Sequence, residues 1–158
     1  MRKQPTRTLQ VRDVVGGNER YRDVKVPDPR TPVPLPNPAV VQIKPAAAQT
    51  EQRSVTLQPG QETEIKALLD AAQVIVYSWH AKGGPVYTDF HGHEPGGGDA
   101  FVRYEETQAS TEGHGSLVAP FSGEHGWFWL NVSEQPVTIT LQVTGYPRGF
   151  KDYGVHQP

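Results

Sequence analysis

Between Gly123 and Gly145 the chain reads GEHGWFWLNVSEQPVTITLQVTG, and no other segment restricts the possible fold so tightly. In its second half Val137, Ile139, Leu141 and Val143 alternate with Thr138, Thr140, Gln142 and Thr144. This is the period-two pattern of a strand with one buried and one wet face. In its first half His125, Trp127, Trp129 and Asn131 share one parity, and Phe128, Leu130 and Val132 share the other. Bulky groups on both faces mark a central strand. Residues 131–136 carry turn chemistry, with Pro136 placed where no ladder donor is needed. The two arms are expected to form a β-hairpin.

Upstream, short β-branched and aromatic runs recur between turn signals. RSVTL (53–57) and ETEIKALLD (62–70) flank Gln58-Pro59-Gly60-Gln61, whose Pro-Gly centre suits a type II turn. KALLD would also suit a helix, but Ile65, Ala67 and Leu69 alternate with Glu64, Lys66 and Leu68, which favours a strand. QVIVYSWH (73–80), VYTDFHGH (86–93), FVRYEET (101–107) and GHGSLVAP (113–120) complete a count of eight strands with no convincing helix. The expected fold is all-β, an antiparallel β-sandwich or jelly-roll-like domain over residues 53–150. Residues 151–158 read as a C-terminal tail.

The segment before this domain has a different composition. Prolines crowd residues 27–38, forbidding ladder hydrogen bonds and favouring extended polyproline II, and an Ala-rich run follows, so 27–52 reads as a largely disordered linker. Residues 1–26 are basic and hold one weak hairpin candidate, TLQVRDVV and ERYRDVKV about Gly16-Gly17-Asn18, with Leu9, Val11, Val24 and Val26 on one side. The net charge of −2 conceals this division: residues 1–50 carry nine Lys/Arg against four Asp/Glu, and residues 51–158 carry six against thirteen. An acidic domain with no basic surface interleaved with aromatics argues against nucleic-acid binding. With no cysteine there is neither a disulfide nor a thiolate ligand or nucleophile. No apolar run reaches the length of a membrane span, and no apolar leader follows Met1-Arg2-Lys3, so the sequence reads as soluble.

Chemistry concentrates in the histidines. His91 and His93 lie on one face of a single strand, roughly 6.5–7 Å apart along it, close enough to share an ion. Asp89, Glu94, His114 and His125 are candidate completing ligands, and nitrogen with carboxylate donors suits Zn or Cu(II), with Ni(II) also to be tested. His91, His93 and His125 also bear a partial likeness to the two metal motifs of cupin barrels, whose carboxylate spacing this chain does not match. Trp79, Trp127 and Trp129, with His80 nearby, could offer a stacking platform for a flat ligand or a partner. No Ser/His/Asp elbow and no phosphate loop is present.

Together SVTLQPGQETEIKALL, VYSWHAKGGPVYTDFHGHEP, GHGSLVAPFSGEHGWFWLN and PVTITLQVTGY resemble the bacterial transmembrane anchor protein family, over about residues 52–153. The resemblance implies an extracytoplasmic, periplasmic β-sandwich tethered to the inner membrane, often associated with heavy-metal efflux components, with no established catalytic activity. The residues that match the family pattern are Trp79, Asp89, His91, Glu94, His114, His125, Trp127 and Trp129, whereas His93 is additional. The N-terminal membrane helix that the family implies has no counterpart here, where the basic, proline-rich segment stands. Three functions follow as expectations: a non-enzymatic binding or accessory module with a membrane-associated partner, a His-rich Cu, Zn or Ni binder, or a small cupin-like metalloenzyme.

Overall fold

The computed structural model describes residues 5–28 and 34–158, which divide into two compact units, Met1–Lys44 and Pro45–Pro158. In the first unit β1 (Thr6–Val15) and β2 (Asn18–Pro27) pair antiparallel from Thr6↔Pro27 to Val15↔Asn18. The register leaves Gly16-Gly17 as a two-residue turn with φ of 60° and 80°, the positive pair that a type I′ loop requires. The expected hairpin therefore forms, with a turn one residue shorter than Gly-Gly-Asn. Arg12 pairs with Glu19 and Arg22 with Asp13 across it. Residues 29–33 of the proline-rich stretch lie outside the described residues. Beyond them Asn37 caps a 3-10 turn at Pro38–Val40 by accepting the Ala39 N–H at 3.1 Å.

The second unit holds nine strands: β3 (Gln49–Leu57), β4 (Glu62–Leu69), β5 (Val74–Lys82), β6 (Val86–His93), β7 (Val102–Ser110), β8 (Glu112–Val118), β9 (Gly123–Asn131), β10 (Val137–Gly145) and β11 (Gly149–His156). They form a four-stranded sheet ordered β3-β10-β5-β8 and a five-stranded sheet ordered β11-β4-β9-β6-β7. Every pairing is antiparallel. The fold is thus an all-β sandwich of jelly-roll type. Two boundaries differ from expectation. β3 starts at Gln49, inside the stretch read as linker, because Gln49 to Leu57 all find partners on β10. Residues 151–158 are not a tail, since Lys151 and Asp152 pair with Lys66 and Ile65. A bulge between Asp152 and Val155 accommodates a sequence too polar and too glycine-rich to be recognised as a strand.

The expected hairpin over 123–145 is corrected: β9 belongs to the five-stranded sheet and β10 to the four-stranded one. The connection is an arch built on Asn131, which is 1% exposed. Its amide donates to Leu57 O at 3.0 Å and Gln135 O at 2.8 Å, and its Oδ1 accepts from Ser133 N at 2.9 Å. A hairpin would set the apolar faces of the two arms side by side. The arch makes them face each other, so that Trp127 and Trp129 oppose the layer of Ile139 and Leu141 in one core. Among consecutive strands of this unit, only β6 and β7 pair with each other, across the glycine-rich loop 94–101. The type II turn chemistry at 58–61 is observed, with Gly60 at φ 78° and Gln61 N–H donating to Gln58 O at 3.0 Å.

Candidate functional site

Alternation sorts each strand of the five-stranded sheet into a core face and an outer face. On β6 Val86, Thr88 and Phe90 point into the sandwich, so Tyr87, Asp89, His91 and His93 lie on the outer face. On β4 Ile65, Ala67 and Leu69 point inward, which sends Glu64 and Lys66 outward. On β9 His125, Trp127 and Trp129 point inward, leaving Glu124, Gly126 and Phe128 outside. The registers Lys66↔Gly126 and Gly126↔His91 place Lys66 and His91 on either side of a residue without a side chain. A Cβ at Gly126 would collide with the Ile65 carbonyl and lie 2.8 Å from Lys66 Cα. Its absence permits both the close strand approach and a lane across the outer face.

Lys66 uses that lane. Its Nζ lies 2.6 Å from His91 Nε2 and 2.7 Å from Glu64 Oε1, and the residue is only 1% exposed. His91 Nε2 is itself 3.0 Å from Glu64 Oε1. On the other ring edge His91 Nδ1 lies 3.2 Å from both the Asp89 carbonyl and Asp89 Oδ1. Asp89 is in turn held by Arg103, which donates from Nε at 3.1 Å and Nη2 at 2.6 Å. His93 Nδ1 meets Ala100 O at 3.3 Å, and its ring stands 4.9 Å from the His91 ring at 81°. Each imidazole has an oxygen acceptor beside Nδ1, and with the proton held there Nε2 is the ligand atom, which on His91 is engaged by Lys66 Nζ and Glu64 Oε1 until an ion takes their place. One ligand atom each from Glu64, His91 and His93 falls within 4.8 Å of the other two.

The electrostatics follow from burial and pairing. Burial pushes the Glu64 carboxyl upward, but hydrogen bonds from His91 and Lys66 outweigh it and hold the group at about 2. Burial lowers the Lys66 ammonium against the opposing pull of Glu64. Glu124 on β9, opposite His93 on β6, is held below the ordinary carboxylate range, burial being outweighed by Lys151 at 2.8 Å and Tyr153 at 2.6 Å.

The structure therefore brings His91, His93 and Asp89 together and adds Glu64 and Lys66, which the sequence reading had placed only on the wet face of a strand. It does not bring in His114 or His125. His114 sits on β8 of the other sheet, exposed and 3.7 Å from Glu112. His125 is fully buried on the core side, where Nε2 donates to Phe121 O at 3.0 Å and Nδ1 accepts from Tyr104 Oη at 2.8 Å. Burial lowers its pKa, so it stays neutral. The cupin-like grouping of His91, His93 and His125 is overturned on this geometry, because His125 on β9 points to the core face of the sheet while His91 and His93 on neighbouring β6 point to its outer face. Glu94 is exposed in the loop after β6. The aromatic platform is also corrected: Trp79, Trp127 and Trp129 are 4%, 1% and 0% exposed. They belong to the core, where Trp127 stacks on Phe90 at 4.9 Å, and only His80 of that proposed surface is exposed.

No family model and no curated protein sequence matches the chain. Among solved structures, a solution NMR structure of a de novo designed double-stranded β-helix aligns over 59% of this chain and 97% of its own. The two are 20% identical with a TM-score of 0.35. No helix among the described residues is long and apolar enough to cross a membrane.

Proposed function

We propose that the sandwich is a non-enzymatic metal-binding module that takes a divalent transition-metal ion on Glu64, His91 and His93. The observation that carries this reading is the pair of Nδ1 contacts, His91 to Asp89 and His93 to Ala100 O, which orient two imidazole rings beside one carboxylate. Tetrahedral ligands at ~2.0–2.1 Å from zinc lie roughly 3.4 Å from one another. Glu64 and His91 are already 3.0 Å apart, so the ion requires that the His93 ring close on them and that the Lys66 ammonium move off them. Lys66 marks the same locus, since its ammonium bridges Glu64 and His91 as a tethered cation that an incoming ion replaces. Asp89, fixed by Arg103, supplies the outer-shell carboxylate that orients a metal-bound imidazole. Nitrogen and oxygen donors without sulfur suit Zn(II), Cu(II) or Ni(II). A site of this kind is what an extracytoplasmic accessory domain working beside a heavy-metal efflux partner would use.

Isothermal titration of the full chain with each of the three ions tests the reading. The expected result is one-to-one binding at about 1 μM or tighter, roughly −8 kcal/mol, lost in His91→Ala and weakened at least tenfold in Glu64→Gln. Binding that neither substitution changes, or no saturable binding, would overturn it.

A further inference from the structure

The loop that joins β6 to β7 encloses space on both sides of Glu94. One cavity of about 280 Å³ is lined by Glu94 with Phe101, Val102 and Phe121, and a second of about 350 Å³ by Glu94 with His93, Glu124 and Tyr153. The first lies just below the range of about 300–1,000 Å³ usual for small-molecule sites. Its walls are largely apolar, and Phe101 and Val102 remain 46% and 48% exposed. Large apolar side chains at that exposure, gathered beside a cavity, are unfinished surface.

The carboxylates around these cavities are not equivalent. Glu124 is neutralised by Lys151 at 2.8 Å and receives the Tyr153 hydroxyl at 2.6 Å. On the adjoining sheet face Glu64 has Lys66 and Asp89 has Arg103. Glu94 has no ion pair or side-chain hydrogen bond among the described residues, although it borders both cavities. It is the one charged group in the lining of the apolar cavity. The Phe101 ring already takes a cation on one face, with the Arg103 guanidinium 5.2 Å from its centroid. An anion beside two phenyl rings is the arrangement that receives an organic cation, the charge on the carboxylate and the apolar body against the aromatic walls.

We propose that Glu94, Phe101 and Phe121 form a binding site for a small organic cation, an amine carrying an aryl or branched alkyl group. This site adjoins the metal locus, since the Phe101 ring lies 5.2 Å from that of His91 and 5.9 Å from that of His93, but it shares no ligand with it and takes its charge complementarity from Glu94.

The test is an amide NMR titration of the full chain, with chelator present, using 2-phenylethylammonium and its neutral isostere 2-phenylethanol. The site requires saturable shifts concentrated at Gly92, Gly97, Phe101 and Phe121. It also requires about tenfold weaker binding, about 1.4 kcal/mol, both for the alcohol and for the ammonium on Glu94→Gln. Glu94 is exposed, so its substitution leaves the rest of the spectrum in place and a loss of binding cannot be ascribed to unfolding. A second variant, Phe101→Ala, should weaken both probes alike. Equal binding of alcohol and ammonium, or an unaltered affinity in Glu94→Gln, would refute the role of the carboxylate. Shifts dispersed over the surface, or none, would refute the site. Because the metal is chelated throughout, either failure is independent of the metal reading.

Discussion

The two sheets turn opposite kinds of outer face to their surroundings. On the four-stranded sheet the outer positions of β3 and β10 form hydroxyl pairs, Thr50 with Thr144 and Thr56 with Thr138 at 2.9 Å, and Ser54 with Thr140 at 3.4 Å. His80 and His114 sit on that face exposed, and nothing buried depends on them. On the five-stranded sheet the corresponding positions carry Glu64, Lys66, Asp89, His91 and Arg103, joined in one chain of contacts with Lys66 and His91 out of solvent. Both faces are formed by the same period-two alternation, and both contain histidines. The difference lies in the ordering of charges across strands. A face of paired neutral hydroxyls can lose one member at little expense, whereas a desolvated charge network depends on every member.

The largest effect expected from that contrast is at Lys66. Lys66→Met keeps the aliphatic stem but leaves Glu64 and His91 without their cation, and breaking a buried ion pair from one side costs about 3 kcal/mol. Chemical denaturation should show that loss, and saturating Zn(II) should raise the midpoint of the variant more than that of the parent. A variant as stable as the parent would mean that the network is no more coupled than the hydroxyl face. Gly126→Ala comes next. Its Cβ would press on the Ile65 carbonyl and lie 2.8 Å from Lys66 Cα, both in backbone that cannot swing aside, for a loss of about 2 kcal/mol. Disturbed amide shifts on β4 and β6 would accompany it if Gly126 is the lane between Lys66 and His91.

Acid sharpens the comparison further, since the titrating groups of the hydroxyl face are exposed. His125 is buried neutral with its pKa below the ordinary 6.5. An unfolded chain therefore takes up the proton first, and stability falls as the pH drops below 6.5. Glu64, held at about 2 against an ordinary 4.5, contributes stability that is complete above 4.5 and lost as the pH falls toward 2. Denaturation midpoints measured from pH 7 to 2 should decline in two stages. Glu64→Gln should reduce the lower stage, to which Glu124 also contributes, and leave the upper one in place; an unchanged lower stage would show that the Glu64 pairing carries no stability.

Legibility in the sequence follows the same division. The alternation of Val137 to Thr144 and of residues 86–93 is local, so strand type and the shared face of His91 and His93 were readable. The parity that groups His125 with Trp127 and Trp129 was equally readable, and burial of the tryptophans takes His125 inside with them, away from His91. Sheet order was not readable. That β4 lies two strands from β6, with β9 between, is set by arches whose geometry depends on buried Asn131 and on loops meeting from distant parts of the chain. Glu64 and Lys66 were consequently no more than the wet positions of one strand. The signal that could have found them is a glycine at 126 on the outer parity of a central strand, which implies that neighbours on either side reach across it.

The smallest effect is the most direct check on the comparison. His80 lies opposite Thr140 on one side and Glu112 on the other, and His114 lies opposite Ser78 with its ring 3.7 Å from the Glu112 carboxylate. Both rings are in water, and an ion pair between two groups that are 63% and 67% exposed contributes about 0–1 kcal/mol. The double substitution His80→Ala, His114→Ala should therefore leave stability within about 0.5 kcal/mol of the parent. It should also leave the stoichiometry and affinity for Zn(II), Cu(II) and Ni(II) unchanged in the titration that His91→Ala abolishes. A fall in metal affinity in the double variant would move the site to the four-stranded sheet and make the hydroxyl face the functional one.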